Sequence, residues 1–329
     1  MTQRSLAPLA LQWLQWLITA FALMAAAPAL AQTWPTKPVR MVLSQAPASS
    51  PDIVARLLGE RLALQWGQSL VVENKPGGQN IIGAQRAAAA AADGYTYYYA
   101  TTAALVINAY TFKSLPYDAR KDFAPVGMVG HSPFVIAVNA SLPVKNLKEL
   151  IAHARANPGK LSVATEGNRT FSGLMAEMFA RTAEINVVSV PYSGVSPGIL
   201  DTISGRTQLV VQSSAALSVH LKTLRPLAVT ASRRVPGLDD VPALSEFFPG
   251  FQYTGWHAIV VPQGAPTAVI RRVNRDLDAA LRETVIARRL LELGILSEGA
   301  GTPAQLGEFL TAEHVRWAKL TKEVGVVAD

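Results

Sequence analysis

Three stretches of this chain hold residues that could do chemistry. The sharpest pattern is Gly194-Val195-Ser196-Pro197-Gly198, with Asp239 and His257 downstream. It fits the G-x-S-x-G turn that exposes a nucleophilic serine, in hydrolase order, and the chemistry would be acyl transfer. Two physical facts oppose it. The oxyanion hole of such a turn uses the N–H of the residue after serine, and Pro197 has none. A residue before proline is also driven toward extended backbone, away from the strained elbow. A secreted serine esterase is therefore the alternative reading, resting on that motif alone.

The other two stretches suit binding without bond cleavage. Ser44-Gln45-Ala46-Pro47-Ala48-Ser49-Ser50-Pro51-Asp52 lies between the apolar run Val39–Leu43 and a helical pattern from Ile53. Thr165-Glu166-Gly167-Asn168-Arg169-Thr170-Phe171-Ser172 lies between Leu161–Ala164 and a helix expected over Gly173–Arg181. A strand, a loop of small polar residues and a helix start leave backbone N–H groups unpaired at the positive end of the helix dipole. Such a turn accepts an anion, here a carboxylate.

The elements that position these loops follow from periodicity. Strand-like runs at Val39–Leu43, Ser69–Asn74 and Tyr95–Ala100 alternate with a helix from Ile53 to about Trp66 and another over Ile81–Ala92. Successive β-α units imply a parallel sheet flanked by helices, with ligands beyond the strands' carboxyl ends. Ser44–Ser50 and the loop Thr101-Thr102-Ala103-Ala104 both fall there. Phe134–Val138 reads as the strand entering a second domain, and Gly255–Val261 as the return. Between them the strand-loop-helix plan repeats, with further strands at Val187–Val190, Leu209–Val211 and Leu227–Thr230. Val269, Ile270, Val273, Leu277 and Leu281 share one helical face, and Thr302-Pro303-Ala304-Gln305 opens a last helix as a capping box. The expected architecture is α/β and two-lobed: residues 32–130 and 254–329 in one lobe, 131–253 in the other, each a mostly parallel sheet flanked by helices, joined by two crossing strands.

Composition narrows the function classes. The chain has 329 residues, half of them hydrophobic, a formal charge of +7 and no cysteine. It can bury two cores, and it has no disulfide, thiolate nucleophile or cysteine metal site. Trp16 to Ala31 is nearly all apolar and ends Ala29-Leu30-Ala31, which reads as a signal peptide over residues 1–31 cut after Ala31, and so as export to the periplasm. His131, His153, His220, His257 and His314 are scattered without metal-ligand spacing. No metal and no cofactor is expected. Arg271, Arg272, Arg275, Arg282, Arg288 and Arg289 alternate with Asp276, Asp278, Glu283 and Glu292, the pattern of a solvated helix face and not of a nucleic-acid surface.

A series of landmarks resembles the Bug-type periplasmic receptors of tripartite tricarboxylate transporters. They read Trp34-Pro35, Asp52-Ile53-Val54-Ala55-Arg56, Val71-Val72-Glu73-Asn74-Lys75-Pro76-Gly77-Gly78, Asp93-Gly94-Tyr95-Thr96, Leu115-Pro116-Tyr117-Asp118, Asn157-Pro158-Gly159 and Val190-Pro191-Tyr192, in order over the mature chain. The resemblance implies a Venus-flytrap (periplasmic-binding-protein) fold, a small organic acid as ligand, a membrane permease as partner, a monomer and no catalytic step. It places the ligand among Gln45, Ala48, Ser49, Ser50, Asp52, Thr101, Thr102, Thr165, Gly167, Asn168, Arg169, Thr170 and Ser172, with Tyr192 and Gln212 shaping the far side. This chain departs from the family pattern where paired glycines and an aromatic are missing from Ser44–Ser49. It departs again where Arg169, Phe171 and Gly173 stand in the second loop. Gln212 replaces a frequent aspartate, which argues against an amino-acid ligand.

Overall fold

The computed structural model describes residues 34–47, 49–326 and 328. The expected signal peptide and Ala48 lie outside the described residues. Residues 38–329 pack as one compact unit; in the other, residues 34–37 are a bend-rich lead-in.

Two five-stranded sheets repeat one topology. Strands β1 (Val39–Leu43), β2 (Leu70–Asn74), β3 (Thr96–Thr101), β4 (Phe123–Ser132) and β10 (Gly255–Pro262) form the first, in the order β2-β1-β3-β10-β4. Strands β5 (Phe134–Asn139), β6 (Leu161–Thr165), β7 (Val187–Pro191), β8 (Leu209–Ser213) and β9 (Leu224–Val229) form the second, in the order β7-β6-β8-β5-β9. In each, three strands pair in parallel, and one strand, β10 or β5, runs against both its neighbours. That odd strand is the one that arrives from the other sheet. Only Pro133 separates β4 from β5. Thr230 fastens the two crossings together: its N–H donates to Phe134 O, its hydroxyl accepts from Phe134 N, and its carbonyl accepts from Tyr253 N. The fold is that of a two-lobed periplasmic binding protein.

Sequence chemistry explains most element ends. Helix α1 (Ser50–Trp66) carries Pro51 in its first turn and stops at Gly67, whose φ of 63° supplies the left-handed cap. Helices α2 (Ile81–Ala88), α3 (Asn108–Thr111), α4 (Leu147–Ala156), α5 (Phe171–Thr182), α6 (Val195–Ile203) and α7 (Ser214–Ser218) follow in order. The C-terminal helices are α8 (Thr267–Arg282), α9 (Thr284–Glu292) and α10 (Pro303–Glu323). Helix α10 opens on the expected capping box, with Thr302 and Gln305 bonding reciprocally.

Two local expectations are corrected, and one strand has no signal in the sequence. Helix α2 ends at Ala88, before the alanines run out, because its buried face (Gly83, Ala84, Ala87) ends there and propensity alone sustains no further turn. Thr101 to Ala104 is not a loop. Strand β3 runs through Thr101, and a wide helical turn at Ala103–Ile107 continues into α3, drawn in by the burial of Ala104, Leu105, Val106 and Ile107. Strand β4 has no strand periodicity in sequence because Pro125, Gly127 and Gly130 interrupt it; as an edge strand it tolerates the proline.

Between the lobes lies an aromatic cluster. The ring of Phe171, at the start of α5, sits 4.5 Å from Phe134 and 5.6 Å from Trp317 on α10, and Trp317 is 6.1 Å from Tyr253. Buried Glu313 accepts from the indole N–H groups of both Trp256 and Trp317.

Candidate functional site

The segments after β1 and β3 in one lobe and after β6 and β8 in the other form two facing rims. They meet where the Arg169 guanidinium lies 5.6 Å from the centre of the Phe112 ring, at the end of α3.

The first rim is built around a strained turn. Gly77, Gly78, Gln79 and Asn80 all have positive φ, at 120°, 54°, 50° and 77°. Glycine adopts that region freely, whereas Gln79 and Asn80 are held there at a cost of about 1–3 kcal/mol each, strain that concentrates at ligand sites. Side chains lock the turn from below. Ser44 Oγ donates to Asn80 O and shares a 2.6 Å bond with the Tyr98 hydroxyl. Gln45 Nε2 donates to Asn80 Oδ1, and Asn108 Nδ2 to Gln79 O. Asn74 Nδ2 ties Gln45 O to Asp52, whose carboxylate also takes a two-pronged contact from Arg56.

After this network is complete, four enclosed side-chain atoms still have no hydrogen-bond partner: Gln45 Oε1, Ser50 Oγ, Thr101 Oγ1 and Asn108 Oδ1. All four lie at or beyond the carboxyl ends of the adjacent strands β1 and β3, and Gln45 and Asn108 flank the same turn. Buried polar atoms are nearly always paired, so a group of orphans at one place marks where water or ligand completes the bonding.

The second rim spends its polar groups on itself. Thr170 caps α5, accepting from Gly173 N while donating to Gly167 O. Ser172 Oγ accepts from Glu166 N, and Thr165 Oγ1 from Gly167 N. Gly173 is dictated by space, since a Cβ there would overlap the Gly167 carbonyl. Asn168 is exposed and accepts from Ser189. Gln212 is buried, and its Oε1 accepts from Ser213 N, which leaves its amide N–H groups to donate. Burial pushes the Glu166 carboxyl above the usual carboxylate range, and the Gln212 amide opposes this.

Of the residues singled out in sequence, Gln45, Ser50 and Thr101 therefore stand with orphaned atoms on the first rim. Ser49 donates to Ala46 O within its own turn. Asp52 is committed to Arg56 and Asn74, and Thr102 to both backbone groups of Trp256. The Tyr192 hydroxyl donates to Asp201 on α6.

The profile described as "Tripartite tricarboxylate transporter family receptor" matches residues 54–326. The chain belongs to this receptor family. The receptor is 32% identical over 304 residues to Protein BugT of Bordetella pertussis strain Tohama I, covering 91% of this chain and 93% of that protein. Its fold superposes with a TM-score of 0.84 on Rhodopseudomonas palustris Rpa4515, solved with adipate, at 31% identity over 90% of this chain and all of that one. It superposes at 0.78 on MatC from Rhodopseudomonas palustris, solved with bound malate, at 26% identity over 87% of this chain and 99% of that one.

The hydrolase pattern is not assembled in the receptor. Ser196 lies inside the first turn of α6, while His257 is buried in the first sheet with its Nδ1 3.0 Å from the Tyr99 hydroxyl. Burial holds His257 down at about 4. Four residues of the rims carry little signal in the sequence. Asn108 lies in a segment to which the sequence assigns no element. The Gln79–Asn80 turn is signalled only by the glycine pair before it. Glu166 has no signal beyond its place directly after a strand end. Several of the arginines on α8 and α9 pair with neighbouring carboxylates, among them Arg272 and Arg275 with Asp276, Arg282 with Asp278 and Arg289 with Glu292. Among the described residues, no three His, Asp or Glu side chains gather to hold a metal, and no helix is long and apolar enough to cross a membrane.

Proposed function

We propose that this receptor captures a small organic acid between the two rims, beside Gln45, Ser50, Thr101 and Asn108, with the carboxylate against the Ser50 and Thr101 hydroxyls and the loop Thr165–Ser172 closing over it. The observation that carries this is the set of four orphaned, enclosed polar atoms on the first rim. The Ser50 and Thr101 hydroxyls have protons to donate to a carboxylate, while the Gln45 and Asn108 amide oxygens, whose nitrogens already donate to the turn, accept and so suit an O–H or N–H of the ligand or a bridging water. Arg169, already across the gap at Phe112, adds a positive charge to the closing side. Closure excludes water and strengthens each of these bonds. It follows the ligand because the ligand binds the closed form better.

The assignments that go with this reading are a first lobe of residues 32–130 and 254–329, a second lobe of 131–253, cleavage after Ala31, and action as a monomer. The chain acts without a catalytic step and hands its cargo to the permease subunits of a tripartite tricarboxylate transporter in the membrane. Rpa4515 with adipate and MatC with malate support a carboxylate as cargo.

A thermal-shift screen tests the reading. Mature protein, unfolded and refolded to strip carried ligand, is scanned with mono-, di- and tricarboxylates, amino acids and neutral sugars. A ligand at about 100 times its Kd stabilises by about 2.7 kcal/mol, a shift of several degrees. A shift with a carboxylate class supports the assignment. A shift with sugars alone overturns it.

A further inference from the structure

We infer that His257 is a ligand-binding residue on the floor of this cleft: with its Nδ1 accepting from the Tyr99 hydroxyl, its Nε2–H donates to the ligand carboxylate beside Thr101. The inference rests on the carboxylate-receptor reading above and names a further group that receives the acid.

Register places the residue. His257 on β10 lies directly opposite Thr101 on the antiparallel strand β3. Directly opposed residues project from the same face of a sheet. The ring contact agrees. Tyr99, two residues before Thr101 and so on its face, lies with its ring centre 5.4 Å from the imidazole and its hydroxyl 3.0 Å from Nδ1. Thr101 is the last residue of β3, and its hydroxyl is one of the four orphaned atoms of the first rim. His257 also stands two residues in from Gly255, which pairs with Ser132 where β10 enters from the second lobe and β4 leaves for it. The imidazole therefore lies at the carboxyl end of β3, at the base of the gap between the lobes, where open sheets receive ligands.

Hydrogen-bond accounting sets the proton. Tyr99 is fully buried, and among the described residues His257 Nδ1 is the one partner of its hydroxyl. A proton on Nδ1 would donate to the Tyr99 oxygen and strand the phenol proton without an acceptor. With the phenol donating, Nδ1 accepts, Nε2 carries the proton, and the buried pair is satisfied. Burial keeps the ring neutral. Among the described residues Nε2 has no partner, and it is not sealed off as the four orphans are: His257 keeps 7% of its surface exposed. An N–H without an acceptor, beside a hydroxyl without one, is completed by the two oxygens of a carboxylate. A ligand ammonium would face the Nε2 proton head-on, so the acid group is the end of the ligand that docks on β3 and β10.

The test is isothermal titration of the mature receptor at pH 7 with adipate, malate, succinate and any further carboxylate that the thermal-shift screen returns. A hydrogen bond to a charged group is worth about tenfold or more in affinity. For each acid that binds, His257→Phe should weaken binding at least tenfold. His257→Gln, whose amide N–H can occupy the place of Nε2–H, should recover most of that loss, with melting temperatures showing both variants folded. A second readout does not depend on affinity. In receptor carrying isotope-labelled histidine, the signals missing from His257→Phe identify the residue. Its proton is expected on Nε2, and that proton's resonance should move downfield on saturation with the acid. The inference is overturned if His257→Phe keeps wild-type affinity, if the two variants lose affinity equally, if the proton resides on Nδ1, or if saturating acid leaves the His257 signals unmoved. In each of those cases an acid still binds, and the receptor reading stands. If no carboxylate binds, both fail.

Discussion

The two rims of the cleft are built on one plan and finished in opposite ways. Each is a parallel strand, a short loop and a helix start, and each needs a glycine where the helix passes the loop, Gly83 against Ser44 and Gly173 against Gly167. On the first rim, the internal network ends with atoms to spare, beside a turn held in left-handed backbone. On the second, the hydroxyls of Thr165, Thr170 and Ser172 all close the loop on itself. Similar topology thus divides the labour: one side keeps unpaired polar atoms after its own bonds are made, while the other is a self-supporting frame.

The largest effect that sharpens this contrast is in pH. His257, under the first rim, is held neutral by burial at about 4, against 6.5 for an ordinary histidine. Its contribution is intact above about 6.5 and is lost as pH falls toward 4, because the unfolded chain then binds the proton that the folded chain refuses; the loss is about 3 kcal/mol. Glu166 has the opposite sign. Its raised folded value favours the protonated form, so its contribution is present at low pH and lost as pH rises from the usual glutamate range through the raised value. Urea unfolding at pH 7 and pH 4 should show wild-type stability falling on acidification, with His257→Phe flattening the fall and Glu166→Gln steepening it. Equal slopes in all three would remove the electrostatic distinction between the lobes.

Gly173→Ala forces a Cβ into the Gly167 carbonyl and should destabilise by about 2–3 kcal/mol, read as a drop in melting temperature. A more discriminating pair comes next. Thr101→Val on the first rim removes an orphaned hydroxyl, so stability should hold or rise slightly while carboxylate affinity falls about tenfold by titration. Thr170→Val on the second rim removes a helix cap, so stability should fall by about 1 kcal/mol and affinity should change less. If the two threonines exchange these behaviours, the division between binding rim and frame is the wrong way round.

Much of the scaffold is legible in the sequence because it depends on local signals. Pro51 and Gly67 bound α1, Thr302 and Gln305 open α10, and the apolar runs of β1, β6 and β8 are short and unbroken. Strand β4 is illegible because its pairing, not its composition, makes it a strand. The loops bearing the site are legible as places, but the roles inside them are not. Ser49, Asp52, Thr170 and Ser172 look like ligand residues by type, and each has an internal partner that only the folded chain supplies.

The sequence by itself determined where the chain leaves most strands, which segments can be helices, and that small polar residues follow β1 and β6, with Glu166 and Arg169 among them after β6. These are properties of neighbours along the chain. Tertiary structure decided which polar atoms remain unpaired, because a hydrogen bond between Asn108 and Gln79, or between Ser44 and Tyr98, joins residues 29 or more positions apart. A binding site is what is left after such bonds are made, and that remainder exists only once the chain has folded.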